Sequence, residues 1–280
     1  MVSCCQGAGP EVAMVAFVRN AEMVTPGIAL PEEDIFGNIK KLRFILKEVA
    51  DHRARKGCDL TVLDFGCGNA DALGRYLIGD GIRYVGVDFH EPSLRYAREH
   101  FGGPNAIFTP TVPEECVFDV IIYADVLEHV HDPLGILSAH TRQIAPDGIV
   151  IGSVPNGYGP CETEKFFNRH LHLYQALRFV KRSALRLLGR PPVEREAPPY
   201  NSESGHVIFF TMNSFRRMVA SADLKILRFG HGGFIGADVT GNTIFRSRRF
   251  IDWNVDLSDR LPSWVVSTWY FVLGRDGNEN

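Results

Sequence analysis

An apolar run that breaks on glycine constrains this chain most. Val62-Leu63-Asp64-Phe65 runs straight into Gly66-Cys67-Gly68-Asn69-Ala70, and a second run, Val85-Gly86-Val87, ends on Asp88. A buried strand that turns on two glycines and opens a helix lets main-chain amides approach a ligand. An acid at the tip of the next strand stands where a pair of ribose hydroxyls is held. The pattern predicts alternating strands and helices around a nucleoside-type ligand. A dinucleotide turn needs a third glycine three places after the second, and that place is Asp71. A carboxylate there repels a pyrophosphate but tolerates a ligand with an amino group and a cationic centre. Asp64, two places before Gly66, can accept hydrogen bonds from loop amides or, through water, from an ammonium.

Four segments then follow in order: Asp64-Phe65-Gly66-Cys67-Gly68, Val85-Gly86-Val87-Asp88, Phe118-Asp119-Val120-Ile121-Ile122-Tyr123-Ala124-Asp125-Val126-Leu127-Glu128-His129-Val130, and Ala145-Pro146-Asp147-Gly148 leading into Ile149-Val150-Ile151. Together they resemble the class I S-adenosylmethionine-dependent methyltransferases. The resemblance implies an α/β, doubly wound, seven-stranded sheet, mostly parallel with an antiparallel last strand, and S-adenosyl-L-methionine as cofactor. Mapped onto this chain, it implies cofactor contacts from Asp64, Gly66, Cys67, Gly68 and Asp88. Phe89 lies against the adenine or serves as packing, and Tyr123, Ala124 and Asp125 line the floor beneath the sulfonium. Two positions depart from the family pattern. Ala70 replaces a usual glycine, where a methyl group is expected to cost little. Thr109-Pro110-Thr111 replaces an acid after the third strand, leaving a hydroxyl or carbonyl for the adenine amino group. The rival readings are a nicotinamide-dependent (NAD) reductase, opposed by Asp71 and by the antiparallel ending, and a binding protein that keeps the cofactor but transfers nothing.

Glu128-His129, with His131 and Asp132 behind, is the candidate catalytic cluster. Methyl transfer needs alignment and exclusion of water more than covalent help. An acceptor hydroxyl must also lose its proton, for which a histidine is a suitable base. The alternative is that Glu128 and His129 brace the loop after the fourth strand. Glu128, His129, His131 and Asp132 as metal ligands would need further donors, and no metal is expected. The acceptor is expected to be a small molecule methylated on oxygen, touched by Tyr158, Tyr200 and His206.

The 280 residues, 45% hydrophobic and 22% charged, suffice for one large core with an accessory region. A net charge of −3 gives no overall field for nucleic acid. Six cysteines without a C-x-x-C pair fit a reducing, cytoplasmic setting, and no apolar run is long enough to span a bilayer. The oligomeric state is not legible. Four regions are expected: an N-terminal segment and helix (1–57), a cofactor-binding core (58–154), an inserted helical cap (155–205) and the rest of the sheet (206–280) with an insertion at 230–264. Residues 1–31 read as loosely ordered or as a cover over the site. Strands are predicted at 60–65, 82–88, 105–109, 118–123, 148–154, 224–229 and 265–273, with helices near 70–79, 92–101 and 133–145. Alternation resumes after the cap at His206–Phe210, and Thr211 caps a helix that buries Phe215, Met218 and Val219. The cap's basic residues, Lys165, Arg169, Arg178, Lys181, Arg182, Arg186 and Arg190, suggest an amphipathic face.

Overall fold

The computed structural model describes residues 29–171, 175–176, 179, 183, 198–201, 205–236 and 247–275. Most of the expected N-terminal cover, and the part of the basic face built on Arg178, Lys181, Arg182, Arg186 and Arg190, lie outside these residues.

Seven strands form one sheet: β1 (Leu60–Phe65), β2 (Ile82–Val87), β3 (Ala106–Thr109), β4 (Phe118–Ala124), β5 (Ile144–Pro155), β6 (Leu224–His231) and β7 (Thr268–Arg275). Their order is β3-β2-β1-β4-β5-β7-β6. The first five are parallel, and β7 runs antiparallel between β5 and β6. This is the doubly wound sheet with the antiparallel last strand that the resemblance implied.

The strands are nearly continuous apolar runs because both faces of the sheet are covered. On one face Val62, Tyr84, Val120, Ile122 and Ile151 pack with Ile45, Leu46 and Val49 of helix α1 (Asn38–Lys56), and with Leu77 and Leu94. On the other face Leu63, Ile121, Tyr123 and Val150 pack with Leu137 and with Phe215, Met218 and Val219. The acids before α1 serve its first turn: Asp34 Oδ1 accepts from the Asn38 amide at 3.1 Å, and Glu33 Oε1 from that of Ile39 at 2.8 Å. The helix stops at Gly57, in the left-handed region at φ 68, with basic residues in its last turn.

Several boundaries differ from the sequence reading. The helix expected near 70–79 is reduced to α2 (Gly74–Leu77). Ala70 is left-handed at φ 62, and Asn69 Oδ1 takes the Asp71 amide at 3.1 Å, so the chain turns before it coils. Ala70 therefore carries backbone strain, contrary to the expectation of a small cost, although its methyl is buried in the core. Helix α3 (Glu91–Phe101) follows as expected, while α4 (Pro133–Thr141) ends early because β5 begins at Ile144. His206–Phe210 is extended but outside the sheet, touching it through the single bridge Asn156–Phe210. Its pairing is with the loop after β4, where the Glu128 carbonyl accepts from the amides of Val207 and Ile208. The helices α5 (Pro160–Leu171), α6 (Met212–Ser221) and α7 (Arg248–Ser258) complete the described elements. Among the described residues, no helix is long and apolar enough to cross a membrane.

Candidate active site

Strand order reverses between β1 and β4, so their carboxyl ends open a crevice where ligands of such sheets bind. Both strands end in a left-handed residue, Gly66 at φ 81 and Asp125 at φ 55. A Cβ on Gly66 would also lie 2.5 Å from Val126 Cγ2, so glycine is required there by conformation and by space.

The turn after β1 is internally hydrogen-bonded. The Gly66 and Cys67 amides donate to the Val87 carbonyl at 2.7 and 3.0 Å, and the Gly68 amide donates to Asp88 Oδ2 at 2.9 Å. The amides of Gly66, Cys67 and Gly68 are thus engaged within the turn itself. Asp88 accepts on its other oxygen from the His90 amide at 2.8 Å, yet a carboxylate with two such bonds keeps lone pairs for further donors. Asp71 pairs with Arg75 at 2.8 Å.

Asp64 is 2% exposed, and the Tyr84 hydroxyl donates to it, so it lies beneath the turn rather than in the crevice. Burial raises its carboxyl to about 7, with Asp88 adding to the shift and the Tyr84 hydrogen bond opposing it. Burial likewise pushes the Cys67 thiol upward. The Tyr123 side chain is fully buried, its hydroxyl 2.6 Å from His140 Nδ1, so only its main chain faces the strand end. Ala124 is half-buried. Phe89 is 79% exposed beside the mouth of the crevice. The chain returning from the cap crosses nearby, where the Pro199 carbonyl accepts from Asn69 Nδ2 and Ser93 Oγ, each at 3.1 Å. Tyr200, next in sequence, therefore lies on the cofactor side and is exposed.

The acceptor side is a cavity of about 310 Å³ lined by Lys41, Asp125, Glu128, His129, Glu162 and His206 among others. Asp125 pairs with Lys41 of α1 and accepts from the Ser153 hydroxyl. Burial pushes its carboxyl up, but Lys41 and Ser153 outweigh that and hold it below its ordinary value. Glu128 is 1% exposed, and burial, reinforced by Asp125, drives its carboxyl well above the usual range. His129 Nδ1 lies 3.0 Å from the Gly205 carbonyl, which can only accept, so Nδ1 carries the proton and Nε2 offers a lone pair. That Nε2 is 3.9 Å from Glu128 Oε1, too far for the hydrogen-bonded brace considered from the sequence. The His206 ring stands edge-on to His129, centroids 4.9 Å apart, with its Nδ1 3.3 Å from Glu162 Oε1. Burial raises the Glu162 carboxyl, but His206 and Lys165 together bring it below its ordinary value. Asp132 caps α4 through the Gly135 amide at 2.8 Å.

A second cavity of about 720 Å³ shares Glu162, Lys165 and His206 with the first and adds Tyr158, Phe166, Phe167, His170 and Phe209. Tyr158 and His206 thus come together, and Tyr200 does not join them. Sequence reasoning did not find Lys41, Ser153 or the role of Glu162. Each reaches the site from a segment remote in sequence, and no spacing links them to Asp125 or His206.

The methyltransferase-domain family model matches residues 33–228. A ubiquinone biosynthesis O-methyltransferase of Neisseria meningitidis is 33% identical over 112 residues, 35% of this chain and 45% of the relative. One from Dinoroseobacter shibae is 32% identical over 134 residues, 42% of this chain and 53% of the relative. The matches thus span about half the length of these relatives. A crystal structure of an S-adenosylmethionine-dependent methyltransferase from Clostridium acetobutylicum superposes with a TM-score of 0.52 at 12% identity, covering 85% of this chain and 92% of that one, a likeness of fold. With the family model extending from the start of α1 into β6, the chain belongs to the class I S-adenosylmethionine-dependent methyltransferase family.

Proposed function

We propose that the protein transfers the methyl group of S-adenosyl-L-methionine to an oxygen of a small-molecule acceptor. The observation that carries this reading is the adjacency of the cofactor turn and the His129 cavity across the β1/β4 switch point, where Gly66 abuts Val126. Asp88 holds the ribose through the lone pairs its two amide bonds leave. The main chain at Tyr123 and Ala124 forms the floor, and Phe89 and Tyr200 close over the nucleoside. Asp64 acts from beneath, through Tyr84 and the shape of the turn.

On the acceptor side, the His129 Nε2 lone pair takes the proton of the acceptor hydroxyl. The oxygen attacks the methyl carbon, and the carbon–sulfur bond breaks with its electrons on sulfur, releasing S-adenosylhomocysteine. Glu128 shapes the cavity around His129. The aromatic cavity with Tyr158, Phe166 and Phe209 receives the apolar body of the acceptor. The relatives' name, an O-methyltransferase, supports oxygen as the atom methylated.

The test joins binding and turnover. S-adenosylhomocysteine at a hundredfold excess over its Kd should stabilise the fold by about 2.7 kcal/mol, and NAD should not. With methyl-labelled cofactor and a metabolite pool, label should appear in a small molecule as a base-stable ether. His129→Gln should lower kcat by roughly 10²- to 10⁴-fold with KM little changed. Stabilisation by NAD instead, or label transferred equally well by the variant, would overturn the reading.

A further inference from the structure

Glu128, His129 and His206 form a cluster for which the acid–base role of His129 does not account. One donor atom from each lies within 4.8 Å of the others. Glu128 Oε2 is buried and has no hydrogen-bond partner among the described residues, although it belongs to a side chain only 1% exposed. A buried carboxyl oxygen without a partner is costly, and native folds supply such atoms with a hydrogen-bonding group or a cation.

The two imidazoles are arranged in the same way. His129 gives its Nδ1 proton to the Gly205 carbonyl and His206 directs its Nδ1 to the Glu162 carboxylate, leaving the Nε2 of each as the donor. A carbonyl or carboxylate behind one ring nitrogen is what fixes the tautomer and orientation of a metal-ligating histidine. We propose that Glu128, His129 and His206 bind a divalent cation of the zinc or cobalt class, with Gly205 and Glu162 as the supports behind the two imidazoles.

Two nitrogens and one carboxylate oxygen suit a borderline ion better than magnesium or calcium, which favour oxygen donors alone. Ligands about 2.0–2.1 Å from a tetrahedral ion stand roughly 3.3 Å apart. The cluster must therefore contract by up to about 1.5 Å, a movement that two partly exposed histidine side chains can supply. Three protein donors leave a coordination position open toward the 310 Å³ cavity. The role of the ion rests on the proposed methyl transfer: with His129 Nε2 bound to it, the ion would take over the task given above to the free imidazole, drawing the acceptor hydroxyl to that position and easing the loss of its proton. Its binding does not rest on that reading.

Cobalt(II) and zinc titrations of the full chain, without cofactor or acceptor, test the site directly. One equivalent should bind, with the visible absorption of a four- or five-coordinate cobalt centre that zinc displaces. His206→Ala and Glu128→Gln should each weaken binding at least thirtyfold, and Glu162→Gln, which removes only a support, by about tenfold. His206 is partly exposed, so its variant keeps the test valid if the buried Glu128→Gln fails to fold. Absence of cobalt binding at millimolar metal, or retention within threefold in His206→Ala, would overturn the proposal. A parallel S-adenosylhomocysteine titration separates the two ideas, since nucleoside binding without metal binding sinks only this one.

Discussion

Asp64 and His140 are buried on opposite faces of the sheet, and their charges oppose each other in the pH dependence of stability. The Asp64 carboxyl lies at about 7 in the fold against an ordinary 3.8, so the native state holds a proton that the unfolded chain gives up. Its contribution is complete below pH 4 and lost as pH rises toward 7, a difference of roughly 4 kcal/mol. Burial lowers His140 to about 4 from an ordinary 6.5, so its contribution runs the other way and is lost as pH falls through that window. Asp64→Asn keeps an acceptor for the Tyr84 hydroxyl and removes the first effect. The stability of this variant relative to the parent should therefore climb between pH 4 and 7, measured by urea unfolding across that range, and a constant difference would refute the assignment. The sequence marks Asp64 as special by its place before the glycines. It does not show that Tyr84, twenty residues on, meets it beneath the turn, because register between β1 and β2 decides that contact.

At the scale of elements, local signals were legible and long-range ones were not. Thr211 was readable as a cap, and the structure adds the reciprocal bond, from the Thr211 amide to Ser214 Oγ, that completes a capping box at α6. Thr211→Ala should cost about 1 kcal/mol, seen as a lower urea midpoint with an unchanged m-value. The apolar runs of β1, β2, β4 and β5 announced themselves by length. The segment His206–Phe210 has the composition of a strand and is not one. Its amides are taken by the Glu128 carbonyl, so the loop after β4 competes successfully with the sheet edge for them. The same pairing brings His206 to His129, 77 positions apart, a meeting that no spacing rule along one segment could have indicated. Glu128 and His129 were found because they stand next to each other in a recognisable run. Lys41 and Glu162 were missed because their importance lies in which partner the fold delivers to them.

Across the whole molecule, the cofactor turn and the acceptor loop share one tight contact. Gly66→Ala should place its methyl against Val126 and force a left-handed alanine, lowering stability and S-adenosylhomocysteine affinity together. Adding Val126→Ala should recover only the steric part, and a double-mutant cycle of melting and binding measures that coupling. The contact also bears on how such a protein diversifies. Since the floor shared by the two ligands is interlocked at Gly66 and Val126, a new acceptor is most easily accommodated from above, on the walls supplied by α5 and the stretch around Phe209. Descendants of this scaffold should accordingly vary in their roof while their foundation stays put.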